Sequence, residues 1–223
     1  MTGDNVSIQA RRGRPSAQDT KERQAHLLSV ARGIFIQRGY RGTTMDEVAI
    51  AAGVTKKTLY AWHQDKEALF HQCVIFGAQR FPDLQPHSDG DVRTALRDYA
   101  IALHQELAHE ESYALGILLM REGPEFPELA KLAQRPHHDF LLRPLAKFLT
   151  EHGMEAEGQN QRAALFINMA LSPLHNFMML GLPLPSDDGV RAHGEMCAGL
   201  FCAEVELARL QSKDSSSSTN SKT

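Results

Sequence analysis

Cysteine is scarce in this chain of 223 residues, and the three present do not form a framework. Cys73, Cys197 and Cys202 are odd in number and show no C-x-x-C spacing, so they read as reduced thiols rather than disulfides or zinc ligands. Nothing around them marks a low-pKa redox sensor. Alternating strand patterns and internal repeats are also missing. The N-terminus has no signal-peptide apolar core. The most apolar run, Ala163 to Leu182, is broken by Asn168, Ser172, Pro173, His175 and Asn176, too polar for a lipid-facing span. A soluble, cytoplasmic protein with no membrane partner is expected.

The usual catalytic and metal-binding frames are lacking too. Of eleven histidines, His137 and His138 are adjacent, His104 and His109 stand five apart, and no carboxylate lies at ligand spacing with them. No glycine-rich phosphate loop occurs, and Ser172 sits in no nucleophile motif. No enzyme activity, metal or cofactor is expected.

What is present is an uneven charge. The formal net charge is −3, yet residues 1–66 hold 11 Lys+Arg against 6 Asp+Glu, and residues 67–223 hold 13 against 21. A basic head on an acidic body is the asymmetry of a chain that meets phosphate at one end. The head opens with an arm, residues 1–15, ending Arg11-Arg12-Gly13-Arg14-Pro15. Such an arm is disordered alone and could serve only as a solubilising tail. Arginines on a thin Gly/Pro chain also suit the narrow, negative minor groove of A·T-rich DNA, so Arg11, Arg12 and Arg14 are read as DNA contacts.

The organising stretch is Thr43 to Lys66, TTMDEVAIAAGVTKKTLYAWHQDK. Thr44 and Glu47 have capping-box spacing, and Met45, Val48, Ala49 and Ala52 share one helical face. Gly53 supplies a positive-φ break and Val54 plugs the corner. Thr55 can cap a second helix, about Lys56 to Trp62, whose inward residues are Leu59 and His63. Its other face offers Lys56, Lys57, Thr58, Tyr60 and Trp62. That pattern suits a helix-turn-helix, although an ordinary helical corner with a charged face has the same outline. Before it, a helix should run from between Ser16 and Thr20 to Arg38, with Leu27, Ala31, Ile34 and Phe35 inward. After it, Asp65 should cap a helix from Lys66 to about Phe81 with Leu69, Phe70, Cys73 and Val74 inward.

The run resembles the DNA-binding domain of the TetR/AcrR family of bacterial transcriptional regulators. The matching residues are Gly39-Tyr40, Thr43-Thr44, Ala51-Ala52-Gly53-Val54, Thr58-Leu59-Tyr60 and Lys66-Glu67-Ala68-Leu69. One departure is His63, where the family usually has Phe. The resemblance covers residues 16–80, and Arg121 to Leu129 is similar to a segment of some members' ligand-binding domains. It implies DNA contacts at Thr44, Thr55, Lys56, Lys57, Thr58, Tyr60, Trp62 and Lys66. By chemistry Lys56 and Lys57 suit guanine edges or phosphates, Tyr60 a thymine methyl or phosphate, and Thr44, Thr58 and Lys66 phosphates.

Beyond the turn-rich residues 82–90 the chain reads as an apolar helical body. Helices are expected over about 92–107, Ser112–Arg121, Glu128–Glu151 with breaks at Pro136 and Pro144, Asn160–Leu180, and Asp188–Leu210. The Asn160–Leu180 segment is apolar on nearly every face and needs cover on all sides. The last two helices resemble the pair with which subunits of this family dimerise. Leu174, Phe177, Met178, Met196, Leu200 and Leu207 are the candidate dimer contacts. His104, Tyr113, His175 and Asn176 are polar groups on apolar helices: satisfied core residues or anchors of an apolar pocket. With Leu103, Leu107, Met120, Phe166 and Met169 they form the candidate ligand pocket.

The expected architecture is all-α: an N-terminal three-helix helix-turn-helix domain plus a C-terminal helical ligand-binding and dimerisation domain. Its parts are the arm (1–15), the head (16–66), a connecting helix (67–81) taken as the only bridge between domains, the body (82–211) and a disordered tail (212–223). The expected function is a homodimeric, nucleoid-associated regulator, read as a repressor with activation left open. It would bind a near-palindromic operator on double-stranded DNA and release it on binding an apolar small molecule. The rival readings are a small-molecule-binding or enzymatic helical protein with an incidental basic head, and a sequence-independent architectural DNA-binding protein.

Overall fold

The computed structural model describes residues 17–84, 91–156 and 158–219; the basic arm with Arg11, Arg12 and Arg14 lies outside them. No strand occurs among the described residues. The helices are α1 (Ala17–Gly42), α2 (Met45–Ala51), α3 (Lys56–Trp62), α4 (Lys66–Ala78), α5 (Val92–Leu107), α6 (Glu110–Glu122), α7 (Pro127–His137), α8 (Arg143–Glu151), α9 (Gln161–Ala170), α10 (Ser172–Leu180) and α11 (Asp187–Thr219). No single one of them is long and apolar enough to cross a membrane.

Three departures from the expected helices trace to proline or to its absence. Between α7 and α8 the chain widens into a π-turn, His138–Leu142. Pro136 and Pro144 flank it, and each removes an amide donor from the ladder, so the turn relaxes rather than breaks. The expected single helix at 160–180 is instead α9 and α10, bent by 59°. Pro173 has no N–H for the Met169 carbonyl; the Ser172 hydroxyl (2.9 Å) and the His193 ring (2.8 Å) take that oxygen. Conversely, α11 continues to Thr219, well past the expected end at Leu210 and into the segment expected to be disordered. No glycine or proline after Gly199 stops it.

Two buried cores form, and they do not divide at residue 82. One joins α5, α8, α9 and α11 through Leu96, Leu103, Leu145, Leu149, Phe166 and Phe201. There α11 runs close against α5, because a side chain at Gly194 would overlap Ile101. The other packs α1 to α4 around Leu27, Phe35, Leu59, Leu69 and Phe70, and it also takes Leu115 and Leu118 of α6 and Leu129 of α7. The head thus shares its core with part of the body. The connecting helix is therefore not the only bridge.

A second bridge is polar. Gly39 has φ 75° and ψ 169°, a conformation open only to glycine, and it kinks α1 so that the next amides point outward. The Glu122 carboxylate of α6 accepts Tyr40 N–H at 2.8 Å and Arg41 N–H at 3.4 Å. Tyr40 then packs edge-on against Phe70 and Phe126, with ring centroids 5.4 and 5.3 Å away. Any side chain at 39 would collide with Glu122.

His63 caps the end of α3, its amide bonding Leu59 O at 2.8 Å. Its ring is 8% exposed and Nε2 has no hydrogen-bond partner. Burial holds its pKa below the ordinary 6.5. Above that value both the folded and unfolded chains carry a neutral ring. As pH falls below it, the unfolded chain takes up a proton that the fold resists, and stability is lost. His63→Phe should therefore raise stability by about 1 kcal/mol at pH 7, by removing the unsatisfied nitrogen. It should also flatten the decline between pH 7 and 5; parallel melting curves of both proteins across that range would contradict this account. Gly39→Ala should cost about 1–3 kcal/mol in urea denaturation, for backbone strain and the overlap with Glu122. An unchanged midpoint would contradict the bridge.

Candidate nucleic-acid interface and its neighbouring cavity

The helix expected to contact DNA, α3, is set by local chemistry. Glu47 N–H donates to Thr44 Oγ1 at 3.3 Å and Thr44 N–H donates back to Glu47 Oε2 at 3.2 Å, completing the capping box of α2. Gly53 turns the chain at φ 65°, and Val54 N–H closes on Ala49 O at 3.0 Å. Thr55 Oγ1 then accepts Thr58 N–H at 3.1 Å and starts α3. Leu59 is fully buried and fixes which side of α3 faces in. The opposite face presents Lys56, Lys57, Tyr60 and Ala61 to solvent, with Thr58 and Trp62 half-buried beside them.

The side chains on that face are not equally available. Lys56 is held by Asp46 of α2 at 2.6 Å, an exposed pair that a phosphate can displace at little cost. Lys57 has no ion pair among the described residues. The Thr55 and Thr58 hydroxyls lie 2.8 Å apart and partner each other. Lys66, an expected phosphate contact, is also engaged within the head. Its Nζ donates to Tyr40 O at 2.8 Å and Thr43 O at 3.2 Å, and lies 4.5 Å from the Tyr40 ring centre. It ties the start of α4 to the loop before α2. Ile50, which the helical pattern did not single out, is 79% exposed beside this face.

Behind the head lies a cavity of about 250 Å³. Val74 and Gly77 of α4, with Phe81 just after it, form one wall, Tyr113, Gly116 and Leu119 of α6 another, and Leu174, His175 and Met178 of α10 a third. Pro136 and His137 of α7 close it, and Arg32 of α1 enters from the head. Burial and the adjacent His138 both depress the His137 pKa. Of the candidate pocket residues, Leu107, Tyr113 and His175 line this space. Leu103, His104 and Phe166 are instead sealed in or against the α5–α11 core. His104 there has an unpartnered Nδ1, and burial lowers its pKa. Met169 lines a separate shallow groove with Met196 and Leu200, while Met120 and Asn176 are exposed.

The candidate dimer residues also divide. Leu174 and Met178 point into the cavity, and Phe177 packs edge-on against Tyr113 at 5.2 Å. Met196, Leu200 and Leu207 are 55, 60 and 57% exposed. With exposed Ala203 and Leu210 they recur at spacings of 4, 3, 4 and 3 along α11, the seam of a helix that packs on another helix. Helical periodicity alone does not single out Arg32, which lines the cavity. Its signal was present: it stands between Ala31 and Phe35 on the buried stripe of α1, where a charge is out of place. Cys73 is buried, with its thiol pushed up to about 12 by desolvation.

This arrangement has close counterparts. Residues 27–73 match the family described as bacterial regulatory proteins, tetR family. YdeS, an uncharacterized HTH-type transcriptional regulator of Bacillus subtilis (strain 168), is 34% identical over 157 residues, 66% of this chain and 71% of that one. The HTH-type transcriptional regulator AcrR of Shigella flexneri is 28% identical over 173 residues, 72% of this chain and 80% of that one. Among solved structures, the flavonoid-responsive regulator FrrA is 26% identical and superposes with a TM-score of 0.67, over 82% of this chain and 97% of that one. The likeness takes in the reading helix and runs well past it, so the chain belongs to the tetR family of bacterial regulatory proteins and is a DNA-binding transcriptional regulator.

Proposed function

We propose that the chain is a homodimeric repressor that places α3 in the major groove and is released by a small, mainly apolar molecule held in the cavity behind the head. The observation that carries this reading is that α1 and α4 serve both sites. They support the helix-turn-helix on one side and wall the cavity on the other. A molecule that changes how α4 and α6 pack must also move the supports of α3. The similar regulator FrrA is flavonoid-responsive by name, and an aromatic, largely apolar effector suits a cavity walled by Leu, Phe, Met and Tyr.

Lys56, Lys57 and Tyr60 are assigned the base edges, and Thr44, Thr55, Thr58 and Trp62 the flanking backbone. Lys66 is assigned to holding the head together. The exposed α11 seam, with Leu165 of α9 beside it at 49% exposure, is assigned to the partner subunit. A bundle of four such helices would sequester it from water. Two copies would then read half-sites about one helical turn, or a multiple of it, apart.

With an operator selected from a random duplex library, Lys56→Ala/Lys57→Ala should abolish specific binding. Removing a side chain that bonds a base edge costs roughly 1–3 kcal/mol of discrimination. The thermal midpoint should stay nearly unchanged, because the Lys56–Asp46 pair is exposed. Retained affinity would refute the reading helix. Leu200→Asp should give a folded monomer in sedimentation with weakened operator binding. A dimer of undiminished affinity would refute the α11 interface.

A further inference from the structure

Arg32 is 3% exposed, deep between the head and the body. Its Nη2 donates to Glu111 O at 2.9 Å and, at a long 3.4 Å, to Ser112 Oγ, while Nε has no partner. No carboxylate among the described residues forms an ion pair with it. Arg80, which repels it, is already matched to Glu106 at 3.0 Å. Glu111 is solvent-exposed; its backbone oxygen bonds Arg32, and its carboxylate raises the Arg32 pKa without closing an ion pair. Burial accordingly depresses the Arg32 pKa, yet a guanidinium keeps its proton in any protein environment. A buried charge with an idle donor is costly unless something pairs with it. Space for that partner exists, because Arg32 lines the 250 Å³ cavity and Gly77 leaves it room: a Cβ at 77 would lie 3.1 Å from Nη1.

We infer that the cavity takes an organic monoanion, an apolar aromatic or aliphatic body carrying one carboxylate, and that Arg32 binds the carboxylate. This rests on the cavity being the effector site. A single unmatched positive charge suits one carboxylate and leaves a phosphate or nucleotide undercompensated, and the remaining walls are apolar. Nη1, beside Gly77 of the cavity wall, and Nη2 form the pair of donors that a carboxylate accepts end-on. The long Nη2–Ser112 contact gives way, and the Ser112 hydroxyl is then free to donate to the same anion. Because Arg32 belongs to α1 and its present acceptors belong to the start of α6, the anion would draw on the contact that joins head to body. Specificity and release would share one side chain.

The test uses the full-length protein with matched pairs of probes: naphthoate and naphthamide, phenylbutyrate and phenylbutyramide, decanoate and decanamide. Calorimetry measures binding, and fluorescence anisotropy measures operator affinity in the presence of each probe. At least one carboxylate should bind wild type about ten-fold or more tighter than its amide, as expected for a charge-assisted bond in a dry site. Arg32→Met should erase that preference while leaving the amide within about two-fold. If Arg32→Met does not fold, Arg32→Lys, which keeps the charge but loses the fork, should reduce the preference. Amides that bind wild type as tightly as carboxylates, and that weaken operator binding equally, would overturn the anion assignment and leave the effector cavity standing. Probes that neither bind nor alter operator affinity would overturn both.

Discussion

The Glu122 carboxylate, gripping the backbone amides of Tyr40 and Arg41, is the contact on which the relation of head to body depends. It exists because Gly39 alone can adopt the backbone angles that turn those amides toward α6. From there the connection is continuous. The Tyr40 carbonyl and the Thr43 carbonyl both accept from Lys66, so α1, the loop before α2 and the start of α4 are held as one piece. Arg32 adds a second tie from α1 to the first turn of α6. Charged groups bonded to backbone atoms are directional, and a shift of α6 therefore cannot be absorbed by side chains that simply repack.

What could be read from the residues alone divides by distance along the chain. The capping box at Thr44, the turn at Gly53 and the cap at Thr55 each involve partners three to five residues apart, and all lie where local chemistry put them. The outward face of α3 followed, since burying Leu59 settles where Lys56, Lys57 and Tyr60 must point. The intramolecular bonds of Lys66 were not legible because its acceptors lie 23 and 26 residues upstream, brought near only by the folding of α1 against α4. The cavity was only partly legible for the same reason. Its walls come from six helices and the π-turn, and periodicity marks which face of a helix is apolar, not which neighbour that face meets. Leu174 and Met178, candidate dimer contacts on an all-apolar segment, line the cavity beyond the 59° bend.

The same bend explains how a short, greasy segment serves two purposes. α10 gives its Leu174, His175 and Met178 edge to the cavity, while the exposed apolar surface continues on α9 and α11. The cavity and the surface proposed for pairing are therefore separate. On the proposed function, a molecule in the cavity would act through α4, α6 and Arg32, whose other neighbours are the supports of α3. Such a device shifts an equilibrium only as far as the molecule prefers one arrangement of the seam over the other.

That thermodynamic identity supplies the most direct measurement. The affinity of the tightest-binding naphthyl or phenylbutyl probe should be measured by calorimetry with the free protein and with the protein saturated by operator. Operator affinity should be measured in turn with and without saturating probe. If the cavity and the reading helix are coupled through the seam, both comparisons must return the same factor, typically about 5- to 150-fold. A probe that binds the cavity with the same affinity whether or not operator is bound would contradict the account.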